Sequence, residues 1–590
     1  MRKISLECPT ADLREYRKLA ELAKELGATH LSASQIEPSM WQWNVNRYDP
    51  YPNWSLHRPT VFKYIVPEAL KPYLPADYAK RNLDTLAERV AILKEFGLKA
   101  TFAGMEPAYL PEAVYRDHPS WRGPRCDQAR RARTEYYAPC IDNPEVREMY
   151  VNAVAELCKV APFEHFQLLT NDSGGGLCWN DRLYPGKNGP LACKHIPIGE
   201  RVVNFLSIFQ EGARIAGYEA EVNVRNILDH DAPAVLPLLK PGQSINNRTL
   251  EHETFTEEVG FRNCYLEFTT PVARLSRMGH IAEQLQKVQA AQDHNLLIAL
   301  RDPDETDTIA FVKKYLGRMP EGIVGRYTAL TDMAADFVGP ELADKLVRVW
   351  DLIEKVNARF DHLESGGHIF TLGTVHQRWL VRPFVAFPGE LKPEEKNYYR
   401  EFQFQAQSEE DADNMLDLQA HRWIGGYSGQ VQLEKSVNAA MPQLNQAIAL
   451  MRELSETAGT AQDYLKSQLL KLKLYRCIIR NANNVCKFQT ILDRTDYSEE
   501  PKDTSLNIWE QGDIRYFKVN EIMREEIDNT LEIISLLEQA ETPILQTAPS
   551  TELETVMTYA PNVVENLKKK IAIMENHRRD FTRLYKSYNR

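Results

Sequence analysis

The sequence predicts a (β/α)8 barrel over residues 1–335 followed by an all-helical domain over residues 336–590. Three observations carry this prediction. Short β-like runs alternate with amphipathic helical patterns through roughly the first 330 residues. Eight such runs occur before the alternation stops, the number that closes a barrel. From about Pro340 onward strand-like runs largely vanish, and apolar residues recur at three- and four-residue steps.

The elements follow in order. Lys3–Cys8 reads as the first strand, and the amphipathic stretch after it as a helix closed by Gly27. Thr29–Ser34 is the second strand. A helix over Asp77–Phe96 stops at Gly97 and leads into Leu98–Gly104. Pro144 opens a helix to Val160, since proline loses nothing in a first turn, and Phe166–Thr170 follows. The helix Gly199–Ala216 precedes Tyr218–Ile227, and runs starting at Ser244, Asn263 and Asn295 complete the eight. An open doubly wound sheet is the competing fold, but no glycine-rich phosphate fingerprint follows the first strand. Beyond the barrel, helices are expected over Leu342–Leu363, Pro393–Gln419, Lys435–Thr457, Ala461–Asp493, Tyr516–Gln539 and Glu552–Tyr588. Lys568, Lys569 and Lys570 read as a solvated helix face.

Composition limits the partners. A net charge of -11 gives no basic face for nucleic acid, so none is expected as a partner. No stretch approaches the roughly 20 apolar residues of a membrane span. The basic start lacks an apolar follow-on, so no secretion signal is visible; the compartment is periplasmic if a leader has been removed and cytoplasmic otherwise. Nine cysteines without a CxxC pair argue for reduced structural thiols, with neither a metal-ligand set nor a cofactor expected.

Barrel enzymes keep their chemistry where strands end, and acids or amides stand at nearly every such end: Glu7, Glu37, Glu106, Asp172, Asn246, Asn247, Glu267 and Asp302. Strand alternation puts Glu219, Glu221, Asn223 and Arg225 on one face. Asn223 is the better ligand contact there, while Glu221 and Arg225 equally suit an internal ion-pair layer. The run HFQLLTNDSGGGLCW delivers Asn171 and Asp172 to three consecutive glycines, with Trp179 placed to fold back as a pocket wall. An insertion after the second strand holds Trp41 and Trp54 with several tyrosines, flat amphipathic surfaces suited to stacking on sugar rings. Within Gly366–Leu391, Arg378 and Arg382 offer planar two-pronged donors for a substrate carboxylate, or else anchor the helical domain. The long helices are compatible with a homodimer.

The arrangement KATFAGMEP, then FQLLTNDSGGG, with a helical domain after the barrel, resembles glycoside hydrolases of the (β/α)8 superfamily. Family-twenty hexosaminidases, α-glucuronidases and gut-bacterial glycan-degrading families belong to it. The likeness leaves the family open, because hexosaminidases carry Asp-Glu where this chain has Asn171-Asp172. The resemblance implies a carbohydrate substrate and a pair of carboxyl groups, one protonating the leaving oxygen and one acting as nucleophile or base. Asp172 with Glu267 is the expected pair, Glu106 the first reserve and Glu221 the second. On an acetamido sugar, Asn171 or Asp172 would orient the substituent. A metal-dependent sugar isomerase or lyase is the rival enzyme, disfavoured by the placement of His30, His165 and His252. A non-catalytic carbohydrate-binding protein is the rival from another class.

Overall fold

The computed structural model describes residues 3–8, 13–35, 59–125, 137–170, 177–179, 189–227, 231–247, 261–266, 273–290, 295–300, 306–360, 378–396, 426–457, 459, 461–494, 514–548, 550–551, 554 and 558–581. They divide into two compact units, Met1–Leu266 with Gln284–Met319, and Glu267–Glu283 with Pro320–Arg590.

The first unit is built on strands β1 (Ile4–Glu7), β2 (His30–Ser32), β3 (Lys99–Met105), β6 (His165–Leu169), β7 (Glu221–Ile227), β8 (Gln243–Asn247), β9 (Phe261–Leu266) and β10 (Asn295–Leu300). Each coincides with one of the eight expected runs. They pair in the order β8-β7-β6-β3-β2-β1-β10-β9, every ladder parallel. The last strand therefore lies beside the first, the cyclic neighbour order of a (β/α)8 barrel. Between β8 and β9 lie residues 248–260, outside the described residues. A short antiparallel pair, β4 (Arg122–Arg125) with β5 (Tyr137–Pro139), interrupts the β3–β6 crossover. The sequence reading did not anticipate it, since each arm is too short to show a period.

Helices α1 (Leu13–Glu25), α2 (Ala76–Phe96) and α3 (Glu112–Asp117) come first along the chain, followed by α4 (Pro144–Val160) and α5 (Ile198–Ile215). Alternation sorts the side chains of the barrel wall. Phe102 and Phe166 point outward, 5.6 Å apart between ring centres, and meet Phe163 and Phe209 in a buried aromatic layer. Helices α4 and α5 cover this side and pack on each other. Helix α4 starts where expected: Asn143 accepts hydrogen bonds from the Glu145 and Val146 amides, and Pro144 occupies the first turn. The opposite set faces inward and is polar. Ser5 Oγ meets Thr101 Oγ1 at 3.5 Å, and Asn223 Nδ2 donates to Ser244 Oγ at 2.7 Å.

The second unit is mainly helical among its described residues. Gly322–Val338, Pro340–Ala358, Gly426–Thr457, Gln462–Arg494, Ile514–Gln539 and Val563–Asn576 pack in chain succession. Two expectations need correction here. The expected helix Glu552–Tyr588 is, among the described residues, Val563–Asn576; Thr547 and Tyr559 form an extended bridge ahead of it, and Pro561 bars an earlier start. Lys570 is not on a solvated face. It shares the apolar stripe of Val563, Leu567, Ile573 and Met574, is fully buried, and pairs with the equally buried Glu526. Only Pro393–Lys396 of the expected helix Pro393–Gln419 is described.

Candidate active site

All eight barrel strands run the same way, so their C-terminal ends form one rim. Glu7 closes β1 there, half-buried, and shares by alternation the inward face of Ser5. The sequence reading noted Glu7 at a strand end without selecting it. Its signal was the two-residue step from Ser5, legible only once the inward face of β1 is known.

Glu106 directly follows β3 and is fully buried. Alternation sends its side chain outward with Phe102, toward helix α4. There Oε1 accepts from the Val61 amide at 2.6 Å and Oε2 from the Tyr150 hydroxyl at 3.1 Å. Tyr150 in turn accepts from the Ala108 amide at 2.7 Å. Burial pushes the Glu106 carboxyl up to about 8, against the opposing pull of these donors. The group is a neutral clamp between β3, residues 59–61 and α4. The backbone approaches closely here as well: Met105 N donates to Pro59 O at 2.9 Å, and a Cβ on Gly104 would stand 2.6 Å from that same oxygen.

Asn223 sits midway along β7, buried and bonded to Ser244 as described above. Arg225, two residues nearer the rim, reaches Gln167 Oε1 at 3.5 Å. Glu221 occupies the opposite end of the barrel. It is the first residue of β7 and pairs with Lys3 at 2.8 Å rather than with Arg225. Beside it, Glu164 contacts both Lys99 and His30, so the strand starts carry an ion-pair layer. Glu221, expected as a ligand contact or second reserve acid, thus lies at the strand starts, at the end of the sheet opposite to Glu7 and Glu106. Burial also drives the His30 imidazole down to about 4, and His165 well below the usual histidine range, so both are neutral.

Trp179 adopts a left-handed backbone at φ 65. Its indole Nε1 donates to Pro190 O at 3.2 Å, and its ring packs against Cys140, Cys178 and Cys193. One side of the Trp179 ring is thus taken up by a sulfur cluster. Arg378 and Arg382 lie fully buried in the second unit. Arg378 pairs with Glu554 at 3.0 Å, donates to Thr558 O and lies over the Tyr559 ring. Burial lowers the Arg382 guanidinium to about 9. Asp172, Asn171, Glu267, Trp41 and Trp54 fall outside the described residues.

Comparison with known proteins gives no matching family model and no matching curated protein. Solved structures do align. A GH138 enzyme targeting pectin rhamnogalacturonan II aligns over 98% of this chain and 83% of its own at 12% identity and a TM-score of 0.44. An α-amylase from Geobacillus thermoleovorans aligns over 55% and 78% at 11% identity and a TM-score of 0.33. A glycoside hydrolase family 20 β-N-acetylglucosaminidase aligns over 58% and 75% at 11% identity and a TM-score of 0.32. Likenesses this distant transfer no residue roles.

Proposed function

We propose that the chain hydrolyses glycosidic bonds with Asp172 and Glu267 as its carboxyl pair. One observation carries the reading: β6 and β9 end at the same rim, and each is followed within three residues by one of these acids. In ring order these are the fourth and seventh strands. Barrel enzymes draw their working groups from several strand ends around one mouth. Inward-facing Asn223 and Arg225 supply polar groups below that mouth. Trp41, Trp54 and Trp179 are the aromatic walls for sugar rings in this reading, and Asn171 orients a polar substituent.

Glu106 has a different part in this proposal. Both of its oxygens are engaged and it is sealed from solvent, so it positions residues 59–61 at the rim and takes no proton from substrate.

The test is a panel of aryl glycosides (hexosides, N-acetylhexosaminides, uronides, deoxyhexosides) and natural oligosaccharides. Against the best substrate, Asp172→Asn and Glu267→Gln should each lose roughly 10²- to 10⁴-fold in kcat at unchanged melting temperature. Full activity in either variant would remove that residue from the pair. Sugar binding without turnover by the native chain would replace the hydrolase with a carbohydrate-binding protein.

A further inference from the structure

Three cysteines distant in sequence converge in the barrel unit. Cys140 follows β5, Cys178 belongs to the crossover after β6, and Cys193 ends the single turn Leu191–Cys193 ahead of α5. Their sulfurs and a carboxylate oxygen of Asp142 all lie within 4.8 Å of one another. The cysteines are 2%, 1% and 3% exposed, and the Asp142 side chain 2%. A buried carboxylate normally collects hydrogen bonds. Among the described residues Asp142 Oδ2 accepts none, and Arg201 Nε stands 3.9 Å away, too far to donate one.

We infer that Cys140, Cys178, Cys193 and Asp142 form a closed tetrahedral site for a divalent ion of the zinc class. The metric agrees. Zinc–sulfur bonds of about 2.3 Å at the tetrahedral angle put sulfurs about 3.8 Å apart, and Cys140 Sγ lies 3.7 Å from Cys193 Sγ. A disulfide would draw two sulfurs to about 2.05 Å and would leave the third thiol and the carboxylate without a purpose. Three thiolates favour a soft or borderline ion over calcium or magnesium.

The surroundings suit such a site. Arg201 is fully buried, and its guanidinium donates to the carbonyls of Ile196 and Cys178, each at 2.7 Å, and to that of Cys193. It therefore fixes the backbone of two ligands and offsets part of the negative charge left after four anionic groups meet a divalent ion, the outer-shell role of metal centres. With every coordination position filled by protein, the ion is structural rather than catalytic. Its effect is topological: it ties the crossover after β6 to the segment after β5 and to the start of α5. Cys178 is six residues beyond Asp172 in the chain. The sequence offers no CxxC spacing to announce this, because the ligands come from three segments.

The test uses the full chain, purified without chelators. Elemental analysis should find about one equivalent of zinc, and a thiol titration in denaturant without reductant should count all nine cysteines as free. Apo protein given Co²⁺ should develop thiolate-to-metal charge-transfer bands and the intense visible bands of tetrahedral cobalt. Cys178→Ser should abolish them. Should that variant fail to fold, the near-isosteric Asp142→Asn carries the test alone, with a loss of roughly tenfold or more in metal affinity. A metal-free chain that takes up no cobalt overturns the site, as does a count two thiols short. Unchanged affinity in Asp142→Asn overturns the four-ligand assignment.

Discussion

Replacing Glu106 with glutamine tests the clamp at the end of β3. The carboxyl is sealed from water, and its folded value of about 8 stands above the ordinary 4.5. A raised folded value means that the native state holds the proton more tightly than the unfolded chain. The resulting stability is fully present below pH 4.5 and is lost as pH rises toward 8, at about 1.4 kcal/mol per pH unit. Glutamine keeps the shape and the acceptor for the Val61 amide but cannot ionise. The variant should therefore match the native chain near pH 4.5 and exceed it by about 3 kcal/mol at pH 7, with the advantage levelling off above pH 8. His30 adds the opposite slope in both proteins. Its folded value of about 4 lies below the ordinary 6.5, so the stability it contributes is present above pH 6.5 and is lost as pH falls toward 4. Subtracting one protein's urea-unfolding curve from the other's at each pH cancels it. A difference that stays flat between pH 5 and 8 would refute the buried neutral clamp. Activity gives a second reading: a positioning residue leaves kcat/KM of Glu106→Gln within about tenfold of native, whereas a proton donor in the reaction would cost 10²-fold or more.

Two further substitutions probe the same logic. Gly104→Ala places a methyl 2.6 Å from Pro59 O and pushes residues 59–61 off the strand; a loss of about 1–3 kcal/mol in urea unfolding is expected, and an unchanged midpoint would show that the segment yields freely. Lys570→Met leaves the buried Glu526 carboxylate, among the described residues, with the Asn481 and Asn484 amides at 2.7 and 3.0 Å. That should cost about 3–5 kcal/mol, while adding Glu526→Gln should restore a large share; simple additivity in this cycle would mean the two charges are uncoupled.

The barrel was legible because its signals are local. A strand of four to seven residues shows its alternation inside its own segment, as EVNVRNI does in β7, and the glycine stop at Gly97 (φ 66) marks a helix end within one turn. Even the polar inward face could be read, since Val222 and Val224 had to meet the covering helices. Direction along the strand was harder. Glu221 and Arg225 look equivalent in the alternating pattern, yet one lies at the base beside Lys3 and the other near the rim beside Gln167. Choosing between them needs the strand's first residue, and helix-to-strand boundaries are the least determined part of any pattern.

Three buried polar features escaped for one common reason: each is a contact between segments whose separation carries no period. Glu106 looks like any acid at a strand end until Val61 and Tyr150, 45 and 44 residues away, close on its two oxygens. Lys570 looks solvated among its neighbours until Glu526 meets it from another helix. The cysteines look scattered until three turns of chain bring their sulfurs together. In each case a polar group is buried at a cost that only a specific partner offsets, so its role is written in the partner's position rather than in its own neighbourhood. The same reasoning bears on Asp172 and Glu267. They lie far apart in the chain, and no spacing rule joins them; the proposal rests on parallel strands that bring their C-terminal ends to one rim. In that proposal each acid follows the C-terminal end of a strand of one parallel sheet, and the first sulfur of the cluster comes six residues beyond Asp172 in the chain.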